Sequence, residues 1–231
     1  MKRSSRIRIS PIRAAADAVL FSAVFAAAAY RVLDGAAHEY FGTAVSGFAL
    51  VHILFNRRWF GACLRGRYGF LRSLSTLVNV ALCAFTLGVF ASGMCLSREV
   101  FAFAGLGEFF DGMALRQFHT FCAYWLFVLS AVHLGLHWRG IAARICGGSA
   151  SGRRALSAAL WAWAAFGVWA WFERDMFGKL SGASSFDFVG ENFAAPLLFA
   201  EIFAIVCLII AASDWASWRL ISSKTNINER N

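Results

Sequence analysis

Six stretches of this sequence stay apolar for about 20 residues, the length an α-helix needs to cross the hydrocarbon core of a bilayer. They run over residues 14–33, 38–56, 74–96, 118–138, 155–172 and 196–218. Charges fall at their ends, apart from Asp17 in the first and Glu201 in the last. Inside lipid every backbone N–H and C=O must be satisfied within the chain, and a helix does this segment by segment. The runs therefore predict an all-α membrane protein of six transmembrane helices. Composition agrees: 59% of residues are hydrophobic and 15% charged, where a soluble domain carries about 25% charged residues.

The loops alternate in charge. Lys2, Arg3, Arg6, Arg8 and Arg13 precede the first run. Arg57, Arg58, Arg65, Arg67 and Arg72 lie in the second loop, and Arg139, Arg144, Arg153 and Arg154 in the fourth. Arg219, Lys224 and Arg230 follow the last run. Of the 22 basic residues, only Arg31, Arg98, Arg116, Arg174 and Lys179 lie in the other loops, beside Asp34, Glu39, Glu99, Glu108, Asp111, Glu173, Asp175, Asp187 and Glu191. An excess of Lys and Arg marks the cytoplasmic side. Residues 1–13 are thus expected to form a basic cytoplasmic tail, 14–218 a six-helix domain in the cytoplasmic (inner) membrane, and 219–231 a second cytoplasmic tail. The net charge of +9 is then a topology signal, and the implied partner is the lipid bilayer rather than nucleic acid. "MKRSSRIRIS" followed by "AVLFSAVFAAAAY" also has the outline of a cleaved leader. Removing it would leave five spans and the wrong loop parity, so the first helix is expected to be retained.

The chain repeats itself. "HEYFGTAVSGFALVHILFNRRW" closes the first predicted hairpin and "HTFCAYWLFVLSAVHLGLHWRG" the second. His38 aligns with His119, His52 with His133 and Asn56 with His137; the fifth and sixth spans form a third hairpin without histidine. Fourteen residues rise about 21 Å along a helix and return to within roughly 40° of the starting direction. Each His pair therefore projects from one face, near opposite ends of its span. The second and fourth spans run in the same direction. Side by side, they set His38 against His119 near the outer surface and His52 against His133 nearer the cytoplasm.

Two facing imidazoles can fill both axial positions of a haem iron and leave it six-coordinate, suited to electron transfer. Two such pairs predict two haems between the second and fourth spans, an outer one at His38 and His119 and an inner one at His52 and His133. Gly42, Ala44, Ser46, Gly47 and Ala49 leave room for a macrocycle beside the second span. His137, one turn beyond His133, is a candidate propionate or quinone contact. Other uses of intramembrane histidine remain open, including proton relay and zinc, for which only Glu39 stands beside an outer histidine. His133 and His137, at i and i+4, could also share a metal. The six cysteines form no C-x-x-C-H, so the haems would be held without covalent attachment, as b-type. Nor do they suggest a structural disulfide or an iron–sulfur cluster.

The duplicated H-x13-H pattern resembles respiratory cytochrome b and the membrane anchor of formate dehydrogenase. Together with "FGVWAWFERDMFGKLSGASSFDFVGENFAAPLLFAEIFAIV", the two histidine segments resemble the flavinylation-associated cytochrome family over about residues 12 to 218. That resemblance implies a di-haem b-type membrane cytochrome with His38, His52, His119 and His133 as axial ligands. It also implies an electron-transfer subunit that passes electrons across the cytoplasmic membrane to an extracytosolic flavin-binding protein, with a quinol or a cytoplasmic donor on the other side. "LSGASSF" (180–186) has the small residues of a flavin-attachment motif, but its upstream acid is not at the expected spacing. It reads as a Gly/Ser turn, and the flavin is expected on a partner.

Glu201 stands alone in "PLLFAEIFAIV". A carboxylate there is costly in lipid and should face the bundle, bonded to a ring or a loop arginine or serving as a proton relay toward a quinone site. The competing class of function is a non-redox membrane protein, a small transporter or assembly factor, whose histidines handle protons or metal.

Overall fold

The computed structural model describes residues 11–28, 32, 35–66, 68–184 and 194–228, with the side chains of 11–14 and 223–228 outside that description. The described residues form eight α-helices: α1 (Pro11–Ala28), α2 (Gly35–Phe55), α3 (Arg58–Cys63), α4 (Phe70–Leu96), α5 (Gly112–Ile145), α6 (Ala150–Glu173), α7 (Met176–Ser181) and α8 (Ala195–Asn228). Two short 3-10 turns, Ala102–Ala104 and Leu106–Phe109, join α4 to α5, and no strand occurs among the described residues.

Four helices are long and apolar enough to cross a membrane: α4, α5, α6 and Ala195–Ser222 of α8. The first two predicted spans are also helical but fall short of that measure. In α1 the apolar part is Ala15–Ala28, and α2 carries His38, Glu39 and His52 within 21 residues. The helices also outrun several predicted boundaries. At 34 residues, α5 is about 51 Å long, against roughly 30 Å of hydrocarbon. The final helix continues to Asn228, through most of the segment read as a tail. Of the basic N-terminal tail, residues 1–10 lie outside the described residues, as do Asp187 and Glu191 of the last acidic loop.

Local chemistry sets the helix starts. Asp111 caps α5, its Oδ1 accepting from the amides of Met113 at 2.8 Å and Ala114 at 3.2 Å. Ser149 caps α6 by accepting from the Gly152 amide at 3.2 Å. Pro196 is the second residue of α8, where a missing N–H costs nothing.

The expected three hairpins are present: α1 packs on α2, α4 on α5, and α6 on α8. The α5 helix also packs on α8 and so joins the second hairpin to the third. The dense core lies on that side, where Ile202, Ile205, Val206, Ile209, Ile210 and Ala211 of α8 meet Leu160, Ala164 and Ala170 of α6 and Phe127 and Ala131 of α5. Glycine permits the closest approaches. A Cβ at Gly167 would stand 2.2 Å from the Ala204 carbonyl oxygen, and one at Gly135 would stand 2.6 Å from Ser213 Cβ. Small residues of this kind let membrane helices come into backbone contact. By contrast α2 buries no residue fully, and α4 buries only Val78 and Ser92.

The loop after α6 is built rather than slack. Asp175 adopts φ 43°, in the left-handed region, and its carboxylate accepts from the Gly178 amide and the Ser184 hydroxyl. Those two bonds hold its carboxyl below the usual carboxylate range. The short helix α7 lies against α5: Met176 and Lys179 are buried, Lys179 Nζ sits 5.0 Å from the Tyr124 ring centre, and Trp125 Nε1 donates to the Leu180 carbonyl at 3.0 Å. Leu180 and Ser181 thus belong to α7, and Gly182 closes it at φ 75°. Residues 185 and 186 of the Gly/Ser segment lie outside the described residues.

Arg174, at the end of α6, donates through Nε and Nη2 to one oxygen of Glu201. Glu201 is 1% exposed. Breaking such a pair leaves an uncompensated charge, so Glu201→Ala should cost about 3–5 kcal/mol. Gly167→Val should cost about 1–3 kcal/mol by overpacking. Both values can be read from unfolding of the purified chain in detergent, followed by tryptophan fluorescence. A Gly167→Val chain as stable as the parent would show that α6 and α8 are not in backbone contact.

Candidate functional site

The structure brings His38 and His119 together. His38 lies in the first turn of α2 and His119 in the upper part of α5; their ring centres are 6.3 Å apart and their planes cross at 82°. Imidazole nitrogens bind first-row metals at about 2.0–2.1 Å, so two rings on opposite sides of one metal ion have centres roughly 6–6.5 Å apart. The observed separation fits a pair of axial ligands. It is too long for one ring to hydrogen-bond the other directly in an ordinary geometry.

His119 is held from α4. Its Nδ1 lies 3.0 Å from Ser92 Oγ. The Ser92 hydroxyl hydrogen has its acceptor in the Gly88 carbonyl, 2.5 Å away, which leaves the Ser92 oxygen as the acceptor and His119 Nδ1–H as the donor. The Val89 carbonyl also accepts from this imidazole. Nε2 then carries the free lone pair, the arrangement that orients a metal-ligating histidine. Gly93 gives the ring its space, since a Cβ there would lie 3.4 Å from His119 Cε1.

His52 is held in the same manner, from a different helix and by a different group. Asp17 of α1 lies with Oδ1 2.8 Å from His52 Nδ1. A carboxylate accepts only, so Nδ1–H donates and Nε2 is again the bare nitrogen. His133, on α5, lies within electrostatic reach of both His52 and His137. Its Nδ1 is buried with no hydrogen-bond partner, and so is Asn79 Oδ1 on α4. Orphaned polar atoms are rare in native structures, and these two lie on α4 and α5, helices packed on one another. His137 packs edge-on against His133, with ring centres 4.9 Å apart, and is itself exposed.

The α2 helix is loosely packed beside these histidines. The second and fourth predicted spans, α2 and α5, were expected side by side with the haems between them. Instead α2 packs on α1 and α4 and makes no extended contact with α5. Gly42 is half-buried and one turn below His38, yet a Cβ there would meet no atom within 4 Å; Gly47 is equally open. Among the described residues no three of His, Cys, Asp and Glu converge on a common metal position. The histidines thus offer two donors at a time, which suits a metal that brings its remaining ligands with it, as haem iron does.

Glu39, beside His38, has its own task. Its carboxylate accepts from Ser97 Oγ at 2.7 Å and from the amides of Arg98 and Glu99, each at 2.9 Å, with Val100 at 3.3 Å. It pins the start of α2 to the loop that follows α4, and so fixes the height of His38. Glu201 stands apart from the histidines; its hydrogen-bond partner among the described residues is Arg174. Sequence reasoning noted Asp17 as a charge in an apolar run but gave it no role. Neither Ser92 nor Glu39's grip on the loop was anticipated. The Asp17–His52 pair had one readable signal, a lone acid near the start of one apolar run and a lone histidine near the end of the next. Comparison of the chain with known protein families, curated proteins and solved structures returned no match.

Proposed function

We propose that this chain is a di-haem b-type membrane cytochrome that carries electrons across the cytoplasmic membrane. The observation that carries the reading is the His38–His119 pair, with ring centres 6.3 Å apart and His119 Nδ1 tied to Ser92. The resemblance of the histidine segments to the flavinylation-associated cytochrome family points the same way. In this reading α1 and α2 complete a six-span bundle with α4, α5, α6 and α8, both termini are cytoplasmic, and the acidic loops face outward.

The chain's own residues do the holding. His38 and His119 present Nε2 to the outer site, and His52 and His133 present Nε2 to the inner site. Ser92 and Asp17 fix the ring orientations, and Glu39 sets the height of α2. Haem iron held by these histidines would supply one-electron redox chemistry at each site. Matched fourteen-residue spacing sets the two sites about 21 Å apart along the bundle. The Arg-rich inner face suits a quinol or an acidic soluble donor, with His137 as a contact for a quinone or a propionate. The outer face, with Glu108 and Asp111, suits an extracytosolic flavoprotein of locally basic surface. Glu201 has the arginine as its partner and serves the α6–α8 packing in this reading, with proton relay as its secondary role.

Two b haems per chain are expected by pyridine haemochrome assay against protein quantitation. A folded, haem-supplemented chain without a Soret band would end the proposal. The pairing gives a second expectation. His38→Ala and His119→Ala should each remove the same half of the haem spectrum, and His52→Ala and His133→Ala the other half. Identical spectral losses in His38→Ala and His133→Ala would overturn the assignment of sites.

A further inference from the structure

The two candidate sites are matched in their histidines and unmatched in what holds those histidines. The inner ligand His52 donates from Nδ1 to a carboxylate, Asp17, at 2.8 Å. The outer ligand His119 donates from Nδ1 to a neutral hydroxyl, Ser92, at 3.0 Å. Both holders sit on a helix other than the ligand's own, Asp17 on α1 and Ser92 on α4.

We propose that this difference sets a redox step along the bundle: Asp17 holds the inner site at the lower potential and Ser92 leaves the outer site at the higher. The inference rests on the bis-imidazole reading given above and adds a direction to it. A carboxylate that accepts from Nδ1–H draws the proton toward itself and raises electron density at Nε2. Such partners raise the basicity of a ligating histidine. A stronger donor favours the oxidised metal, and second-shell hydrogen bonding is one of the means by which a protein sets a haem potential. A serine oxygen carries no charge and polarises the ring less. Ser92 also gives its own hydrogen to the Gly88 carbonyl, and its oxygen shares the His119 proton with the Val89 carbonyl.

Other charges near the two sites are arranged so that they do not cancel the difference. Glu39 adjoins His38, and its anion acts on that ring through space. Its oxygens are engaged by Ser97 and by three backbone amides, which offset its charge where it stands. At the inner end, His133 faces His52 and His137. Among the contacts between described residues, Asp17 is a carboxylate hydrogen-bonded directly to a candidate ligand.

The consequence is a downhill path from the Arg-rich face to the acidic face. With haem bound, one electron would pass from the site held by His52 and His133 to the site held by His38 and His119, the first being oxidised as the second is reduced. No bond forms or breaks and no proton moves. The reductant is the quinol or acidic soluble donor of the inner face, and the oxidant is the flavin of the outer partner.

An optical redox titration of the full-length haem-loaded chain, in detergent or lipid, tests this. The parent should titrate in two steps, and the lower step should be the one missing from His52→Ala and His133→Ala. Asp17→Asn keeps a hydrogen-bonding oxygen and removes the charge. It should raise the lower step alone, by about a tenfold change in the reduction equilibrium, which for one electron is ~59 mV. Ser92→Ala should move only the upper step. Should Asp17→Asn empty the inner site, Asp17→Glu should restore both the haem and the lower step. The inference is overturned if the lower step belongs to His38 and His119, if Asp17→Asn moves the upper step or neither, or if an inner site emptied by Asp17→Asn is not refilled by Asp17→Glu. Each of those results leaves two haems in the parent chain. Absence of haem altogether would instead strike the bis-imidazole reading.

Discussion

A polar side chain inside a bilayer has no water to fall back on, and must find its partner on another part of the chain or leave an atom unsatisfied. Hydroxyls such as Thr43, Ser46 and Ser217 bond back to a carbonyl of their own helix, while several charged and imidazole groups find partners on another element. Asp17 of α1 takes His52 of α2. Glu39 of α2 takes the loop that follows α4. Ser92 of α4 takes His119 of α5. Arg139 of α5 reaches Asp214 of α8 at 2.9 Å, and Arg174 at the end of α6 takes Glu201 of α8. Read in order, these contacts form a chain of single ties that runs through every long helix. Apolar surface cannot choose a neighbour in lipid, because the tails are as apolar as leucine. The polar ties make that choice, and each is strong because its alternative is a bare charge or an orphaned hydrogen-bonding group.

The ties hold two regions of different character. Around α6 and α8 the helices touch at glycine and alanine, and the residues of α8 fill the space between neighbours. Around α2 no residue is fully buried, and the openings beside Gly42 and Gly47 are unfilled. A rigid half and an open half are what a bundle needs if one side is to supply stability and the other to receive a large flat group. The third hairpin, which has no histidine, meets α5 through α8.

Much of this was readable from the residues. The 3.6-residue period places positions fourteen apart on one face, and the structure duly sets the ring of His38 beside that of His119. The all-helical class followed from the apolar runs, and a loop arginine was among the partners weighed for Glu201. The sequence was less informative wherever a contact joins residues far apart. Asp17 and His52 are 35 positions apart and Ser92 and His119 are 27 apart, and no local pattern announces either. The second predicted span is a helix, α2, but is not among the four that are long and apolar enough to cross a membrane, and it carries His38, Glu39 and His52. Residues 180–186 read as a Gly/Ser turn; Leu180 and Ser181 instead end α7, whose start is set by Asp175 capping, and Gly182 closes it. The helices α5 and α8 run beyond the apolar stretches, because the hydrogen-bond ladder continues where the apolar run stops.

That continuation matters for α5. A helix of 34 residues outreaches the hydrocarbon layer by about 20 Å, and its last turns carry His137, Arg139 and Arg144 beyond the apolar run. Arg139 is braced there by Asp214 and lies 5.7 Å from the Trp218 ring centre, while Arg219 sits 5.4 Å from that of Trp215. The basic surface at this end is therefore mounted on two projecting helices rather than on slack loop. Groups already held in place lose little rotational freedom when something settles against them. A visiting molecule would meet a post whose spacing of charges is set in advance, and that post is continuous, through one unbroken backbone, with the histidines of α5.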